Sequence, residues 1–372
     1  MNILRKIIIL PLVIVLCLSG LSGCQSSNED TQQPSQSQAE GKTETTKIAE
    51  VLGSAKSDEQ VKIDLVTKVN PLTGMTDISD AAIGKRPVAV MVNNVKAAFP
   101  QYGIEAASII FEVPVEGGQT RFMALFADYT QIPNVCSVRS ARKYFPAISE
   151  GFDAIYINWG RNDVIVPYLK SLNLTHYEGL YNEGNLFARD TNRKAAGYAL
   201  EHTGYFKGPE LPAALAKDNA RVDIEADKQG LAFNFCQYGE KIVPEGNACT
   251  EVAIDFGIVV AGFRYDEATK MYYKSYNGEA QIDGSTGNQL SFTNVFVLET
   301  SITADPNGLH RDVDWHGGNG YYVTNGVVQR IKWSKASEES PLLLFDENGN
   351  ELIINRGKSY FGINYIGEAT FN

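Results

Sequence analysis

Apolar positions along the chain fall into three regimes. Ile7 to Leu18 is an almost unbroken apolar run behind the basic pair Arg5 and Lys6. It is shorter than the ~20 helical residues that comfortably cross a bilayer, which is the pattern of a cleaved export signal. From Gln25 to about Lys47 the chain is Ser, Gln, Glu, Thr and Asn with almost nothing apolar. Such a stretch buries too little surface to offset the entropy of ordering itself, and it predicts a solvated tether. From about Ile63 apolar residues return in short runs. Residues 87–92, 109–113, 122–127 and 154–157 are continuous apolar segments of strand length, as expected of strands covered on both faces. Between and after them, 141–149, 163–171 and 192–202 read as helices.

This alternation predicts an α/β layered domain over residues 63–208. A connecting segment at 209–230 follows, with a short helix of its own in 209–223. From 231 to 372 the text becomes short strand-like segments broken by turns, which predicts a mostly-β domain. A loop at 283–287 and a hairpin at Asn325-Gly326, flanked by 321–323 and 327–328, are its clearest marks.

The small residues Leu21-Ser22-Gly23 ahead of Cys24 form a lipobox. The expectation is a signal peptide over 1–23, cleavage before Cys24, diacylglycerol on the Cys24 thiol, and a lipid-anchored tether over 24–62. Each buried acyl methylene contributes ~0.8 kcal/mol and one chain holds only marginally, so a two-chain glyceride is what stable anchoring requires. The protein is then held by its lipid on the extracytoplasmic face of the cytoplasmic membrane.

The formal charge of −11 becomes −13 once Arg5 and Lys6 leave with the signal. An acidic surface repels nucleic acid at long range, so nucleic acid is excluded as a partner and any anion site must be local. Of the five cysteines, Cys17 leaves with the signal and Cys24 takes the lipid, leaving Cys136, Cys236 and Cys249. Cys236 and Cys249 could pair across a loop, but an odd count is no disulfide framework. No cysteine spacing suits a metal, no glycine-rich nucleotide loop appears, and no cofactor is expected.

Several motifs occur in a recognisable order: Arg86-Pro87, Ala89 to Asn94, Pro100-Gln101, Glu112, Glu116-Gly117-Gly118, Thr120-Arg121-Phe122 and Val138 to Arg142. Downstream stand Asn294-Val295, Gly318 to Tyr322 and Trp333. Together they resemble the amino- and carboxy-terminal domains of the YerB-like lipoproteins, over nearly all of the chain after the tether. The resemblance implies a two-domain fold and an exported, membrane-anchored location, and it leaves activity open, since the family is catalogued as a domain of unknown function. The chain departs from that pattern at 134–137, where the family has Gly-Pro before Val-Arg-Ser, and at 194–202, which lacks Pro-His-Asn.

The most suggestive chemistry lies between Glu112 and Arg142. Arg121 opens a strand, while Arg139 and Arg142 stand three apart at the start of a predicted helix and so share a face. Ser140 can cap that helix. Helix-start N–H groups, a hydroxyl and guanidinium forks are the parts of a phosphate or carboxylate site. Glu112 and Glu116 stand on the adjacent connection, with Gly117 and Gly118 letting backbone approach closely. The opposing reading is that these glutamates pair with the arginines in a structural network. Asn94 joins the candidate ligand contacts. So does Trp159, in a loop that follows a strand and precedes a helix, where α/β sheets place ligands. In His310 to His316, a strand would put His310, Asp312, Asp314 and His316 on one side. At about 3.3 Å per residue the outer two lie roughly 20 Å apart, so one straight strand holds no ion and no metal is assigned. Ser137 and Ser140 lack sequence-readable triad partners.

Three functional readings follow. In the first, a non-catalytic envelope protein binds an anionic small molecule or cell-wall polymer at Arg121, Arg139 and Arg142. In the second, an enzyme acts on phosphorylated or glycan substrates with Glu112 or Glu116 as acid or base. In the third, a protein docks on the edge or an apolar patch of the β domain.

Overall fold

The structure, a computed structural model, describes residues 68–172, 174–306 and 308–372. The expected signal peptide, Cys24 and the tether lie outside the described residues. The four apolar runs become β1 (Val88–Asn93), β2 (Ile109–Pro114), β3 (Thr120–Phe126) and β4 (Ile155–Asn158), each buried along its whole length. A short β5 (His176–Glu178) extends this group beside β4. Alternate side chains enter different cores: Val88, Val90 and Val92 belong to one, Ala89 and Met91 to the other. That two-sided burial is why the runs are continuous rather than alternating.

One core takes in Tyr144, Phe145, Ala147 and Ile148 of the helix Tyr144–Glu150. The other takes in Leu211 and Leu215 of the helix Leu211–Lys217, which is the short helix expected in the connecting segment. The predicted helix 163–171 appears as a 3-10 turn at Asp163–Ile165 running into Val166–Ser171, started by Asn162, whose side chain accepts from the Ile165 N–H.

The carboxy-terminal region is mostly strand. Its elements include β6 (Glu251–Asp255), β7 (Val260–Asp266), β8 (Met271–Tyr276), β9 (Asn294–Thr300) and β10 (Gly317–Thr324). They continue with β11 (Val327–Ser334), β12 (Leu343–Phe345), β13 (Ser359–Tyr365) and β14 (Ala369–Phe371). The β10–β11 hairpin turns at Asn325 and Gly326, with φ of 48° and 75°. Positive φ at both central residues is what a tight hairpin with right-handed strand twist demands, and Asn-Gly supplies it.

The sheet topology ties the two regions together. β13 pairs in parallel with β9 on one side and with β2 on the other, Ile109 opposite Ser359 and Glu112 opposite Gly362. The result is one sheet in the order β12-β11-β10-β9-β13-β2-β3-β1-β4-β5, with a short eleventh strand, Asn247–Ala248, on β11. Strands β6, β7, β8 and β14 form most of a second, six-stranded sheet whose inner side chains enter the core that holds Val88 and Val90. The α/β and mostly-β regions therefore share a backbone ladder.

Two expected helices are altered. The first starts at Tyr144 instead of 141, because residues 139–141 are held extended: the Arg139 N–H donates to Met91 O at 3.0 Å and the Ala141 N–H to Gly160 O at 3.0 Å. Backbone pairing on both flanks overrides local helix preference there. The second, expected over 192–202, is cut into Thr191–Ala195 and a 3-10 turn at Leu200–His202, separated at Gly197, whose φ is 85°. Cys136, Cys236 and Cys249 are all buried free thiols, so the open Cys236–Cys249 pairing does not occur.

Candidate functional site

The β2–β3 hairpin carries charge on both of its faces, and strand alternation decides which charge goes where. Phe111 and Met123 enter one core while Phe122 enters the other. Glu112 therefore faces Phe122's side and Arg121 the opposite side. The turn between them, Glu116 to Gly118, needs φ of 67° and 69° at Gly117 and Gly118, so these glycines serve the turn itself.

Glu112 has no exposed surface. Its Oε1 accepts from Asn94 Nδ2 at 2.8 Å and from the Thr120 hydroxyl at 2.6 Å. Its Oε2 accepts from the Tyr360 hydroxyl at 2.7 Å and lies 3.1 Å from the ammonium of Lys274, which is also fully buried. Phe122, Phe263 and Tyr360 surround that ammonium with ring centroids 5.4 to 5.6 Å away. Asn94 Oδ1 accepts in turn from Gln101 and Gln281. With its lone pairs committed to four donors, Glu112 has no free role as acid or base, and Asn94 is its hydrogen-bond partner, not a ligand contact. This network joins the two regions across β2, β8 and β13.

On the other face the three arginines converge. Arg121 is 5% exposed, and its Nη1 donates to Ser140 O at 2.5 Å. Burial, and then the charges of Arg142 and Arg139, push its guanidinium down to about 9. Arg142 grips Glu116 with two parallel bonds, Nε to Oε1 at 2.5 Å and Nη2 to Oε2 at 2.7 Å, and its Nη1 reaches Ala141 O. Burial alone would raise the Glu116 carboxyl, but the Arg142 fork holds it below the usual carboxylate range. Arg139 makes no side-chain hydrogen bond or ion pair, and its Nε is buried without a partner. Burial lowers its pKa, opposed by the charge of the exposed Glu201.

Sequence spacing brought these arginines together for the wrong reason. They do not share a helix face, since 139–141 is extended, and Ser140 caps nothing: its hydroxyl donates to Trp159 O at 3.3 Å. What gathers them is the antiparallel pairing of β3 with β1 and the course of residues 139–141 between Met91 and Gly160. Trp159 is 7% exposed, packed edge-on to Phe187 with the Arg189 guanidinium 4.1 Å above its ring, and is a core residue rather than a ligand contact.

Two further residues at the cluster, Tyr156 and Asn93, were not singled out by sequence. Tyr156, on β4, is buried with an unpartnered hydroxyl and feels the charges of Arg121 and Arg142. Asn93 lies opposite Arg121 in the β1–β3 ladder and bonds His202 through its side chain. The period-two rule would have chosen Asn93 over Asn94 as the neighbour of Arg121. From the carboxy-terminal region, His310 lies 3.8 Å from Glu116, within 3.4 Å of Asp305, and accepts or donates to Asn162 at 2.9 Å. The strand in its motif spans only Arg311–Val313, and His316 pairs with Asp314 at 2.8 Å. Among the described residues no three His, Cys, Asp or Glu side chains gather around a metal position.

Known proteins resemble the whole of this framework. Residues 72–221 match the model described as Protein of unknown function (DUF3048) N-terminal domain, and residues 252–361 match its C-terminal domain. YerB of Bacillus subtilis (strain 168), whose name marks it as a candidate lipoprotein, is 30% identical over 273 residues, 72% of this chain and 78% of the relative. The crystal structure of YerB from that organism superimposes with a TM-score of 0.69 at 28% identity, covering 81% of this chain and 98% of that one. With both domain models matched in order and a relative of this similarity, the chain belongs to the YerB-like DUF3048 family.

Proposed function

We propose that this protein is a lipid-anchored protein of the extracytoplasmic membrane face that binds an anionic group of a small molecule or envelope polymer at Arg121 and Arg139. One observation carries the reading: a buried guanidinium and a half-buried one act on each other with donors unspent, Arg121 Nε and the whole of Arg139, in a chain whose net charge is −11. Buried polar groups are ordinarily satisfied, and two like charges held together with no carboxylate bonded to either oppose the fold. A bound oxyanion supplies both the acceptor and the charge. Arg142 is already neutralised by Glu116 and acts as the wall of the site. Anchoring is supported by the lipobox at Cys24 and by the name of the Bacillus relative.

The catalytic alternative loses its chemistry, because Glu112 is saturated on the far face and Glu116 is gripped by Arg142. The test is thermal unfolding of the chain lacking residues 1–24 against inorganic phosphate, nucleotides, wall fragments and acidic sugars, beside Arg139→Ala. A ligand present at 100 times its Kd should stabilise the unmodified protein by about 2.7 kcal/mol and leave the variant unmoved. No response to any anion, or an equal response from Arg139→Ala, would refute the proposal.

A further inference from the structure

His202 is 7% exposed and stands at the same face of the sheet. Its Nδ1 lies 3.0 Å from Asn93 Nδ2. The orientation of that amide follows from its other contact: the Val95 N–H points at Asn93 Oδ1 at 3.3 Å, and a backbone N–H can only donate. Asn93 therefore turns its carbonyl to Val95 and its NH2 to the ring. An amide NH2 can only donate as well, so Nδ1 is the acceptor and the neutral ring carries its proton on Nε2. Nε2 has no partner in the protein and is not among the enclosed unpartnered atoms, so this N–H meets accessible space. Burial holds the ring below the ordinary histidine pKa, with Arg139 and Arg193 acting in the same direction and Glu201 against them. The ring is neutral at neutral pH.

We infer that His202 is a pre-oriented Nε2–H donor to the anion held by Arg121 and Arg139, that Asn93 is its positioning residue, and that the group bound is a tetrahedral phosphate. This deepens the anion-binding reading and rests on it. Groups with unspent donors approach this face from separate elements: Arg121 on β3 and Arg139 on the extended segment, whose charges act on each other, and His202 at the end of its 3-10 turn, whose ring feels Arg139, while the enclosed Tyr156 hydroxyl on β4 feels Arg121. These donors outnumber the one carboxylate near them that Arg142 does not grip, the exposed Glu201, whose charge acts on both Arg139 and His202, so the ligand is held by accepting. A carboxylate presents its lone pairs in one plane, whereas phosphate oxygens spread over several directions and suit donors that arrive from different elements.

The test starts on the free protein. Nitrogen-15 correlation spectra of the histidine rings, with His202→Gln assigning the signal, should report the Nε2–H tautomer for His202, and the Nδ1–H tautomer would overturn the inference before any ligand is added. Inorganic phosphate should then move the His202 Nε2 signal, with acetate far weaker. His202→Phe should weaken phosphate by about tenfold or more, as loss of a hydrogen bond to a charged group does, while His202→Gln, which keeps an N–H near the Nε2 position, should retain most of the affinity. Asn93→Asp, whose carboxylate accepts from the ring, should switch the tautomer and abolish the phosphate response with the unfolding midpoint largely kept. Phosphate binding that depends on Arg139 yet ignores His202→Phe would overturn the role of His202 and leave the anion site standing. Acetate bound as tightly as phosphate would overturn the tetrahedral class. Absence of phosphate binding in the unmodified protein would remove both.

Discussion

The two faces of the β2–β3 hairpin hold charged clusters of opposite character. On one, Glu112 and Lys274 are fully buried, and every carboxylate lone pair is answered by Asn94, Thr120, Tyr360 or the ammonium. On the other, of Arg121, Arg139 and Arg142 only Arg142 is gripped by a carboxylate, and donors are left over. A closed cluster is spent on holding the molecule together, here across the seam where β13 lies beside β2. An open one has donors that the fold itself does not use. Residue type does not separate them, since both began as charges within the same short stretch of sequence. Partner count does.

The comparison breaks most sharply at the closed face. Glu112→Gln leaves the Lys274 ammonium buried without its counterion, and removing one member of such a pair typically costs 3–5 kcal/mol (about that here). The urea midpoint should fall accordingly, and for a pair that bridges the two regions the whole transition should move, not one part of it. A paired replacement, Glu112→Leu with Lys274→Met, should recover much of the loss, because it removes both desolvated charges together. A single variant as stable as the unmodified protein would mean that the ammonium finds another partner.

A smaller effect comes from His176, which is closed in the same sense: its Nε2 bonds the Asn158 carboxamide oxygen beside β4. Burial, and then Arg161, push its pKa down to about 4. Below pH 6.5 the unfolded chain takes up a proton that the folded ring refuses, so stability falls as the pH drops from 6.5 toward 4. Each unit in that window costs about 1.4 kcal/mol, or about 3 kcal/mol over its whole width. Below about 4 the loss levels off. His176→Gln should flatten this part of a stability profile relative to the unmodified protein, measured by urea unfolding at successive pH values.

Much of the framework was legible in the sequence. Continuous apolar runs marked β1 to β4 within a residue or two, and Asn325-Gly326 marked its hairpin, because both signals are local and arise from burial and backbone sterics. The pairing of β13 with β2 was not legible, since strand neighbours far apart in sequence leave no local mark. The site was half legible. The three arginines do meet, but through the extended course of residues 139–141 where a helix was expected. Asn93 and not Asn94 lies beside Arg121, because strand alternation turns Asn94 to the Glu112 face. Trp159 sits in a loop position typical of ligand contacts, yet Gly179 and Gly204 leave room for its ring to pack inward.

The smallest expected effect is the most telling. Arg139→Ala removes a guanidinium that bonds nothing and repels Arg121 and Arg142, so its loss should change stability by less than about 1 kcal/mol and could raise it. Arg142→Ala, by contrast, leaves the Glu116 carboxylate without its paired bonds, with His310 at 3.8 Å and the charge of Arg121, which it does not bond, near it, and should cost more than Arg139→Ala in the same urea titration. If the order were reversed, Arg139 would be a structural member of the cluster and the open face would be closed by a contact of its own. If the order holds while phosphate stabilises only proteins that retain Arg139, then the residue that contributes least to the fold is the one on which binding depends, and that inversion is what distinguishes a binding cluster from a structural one.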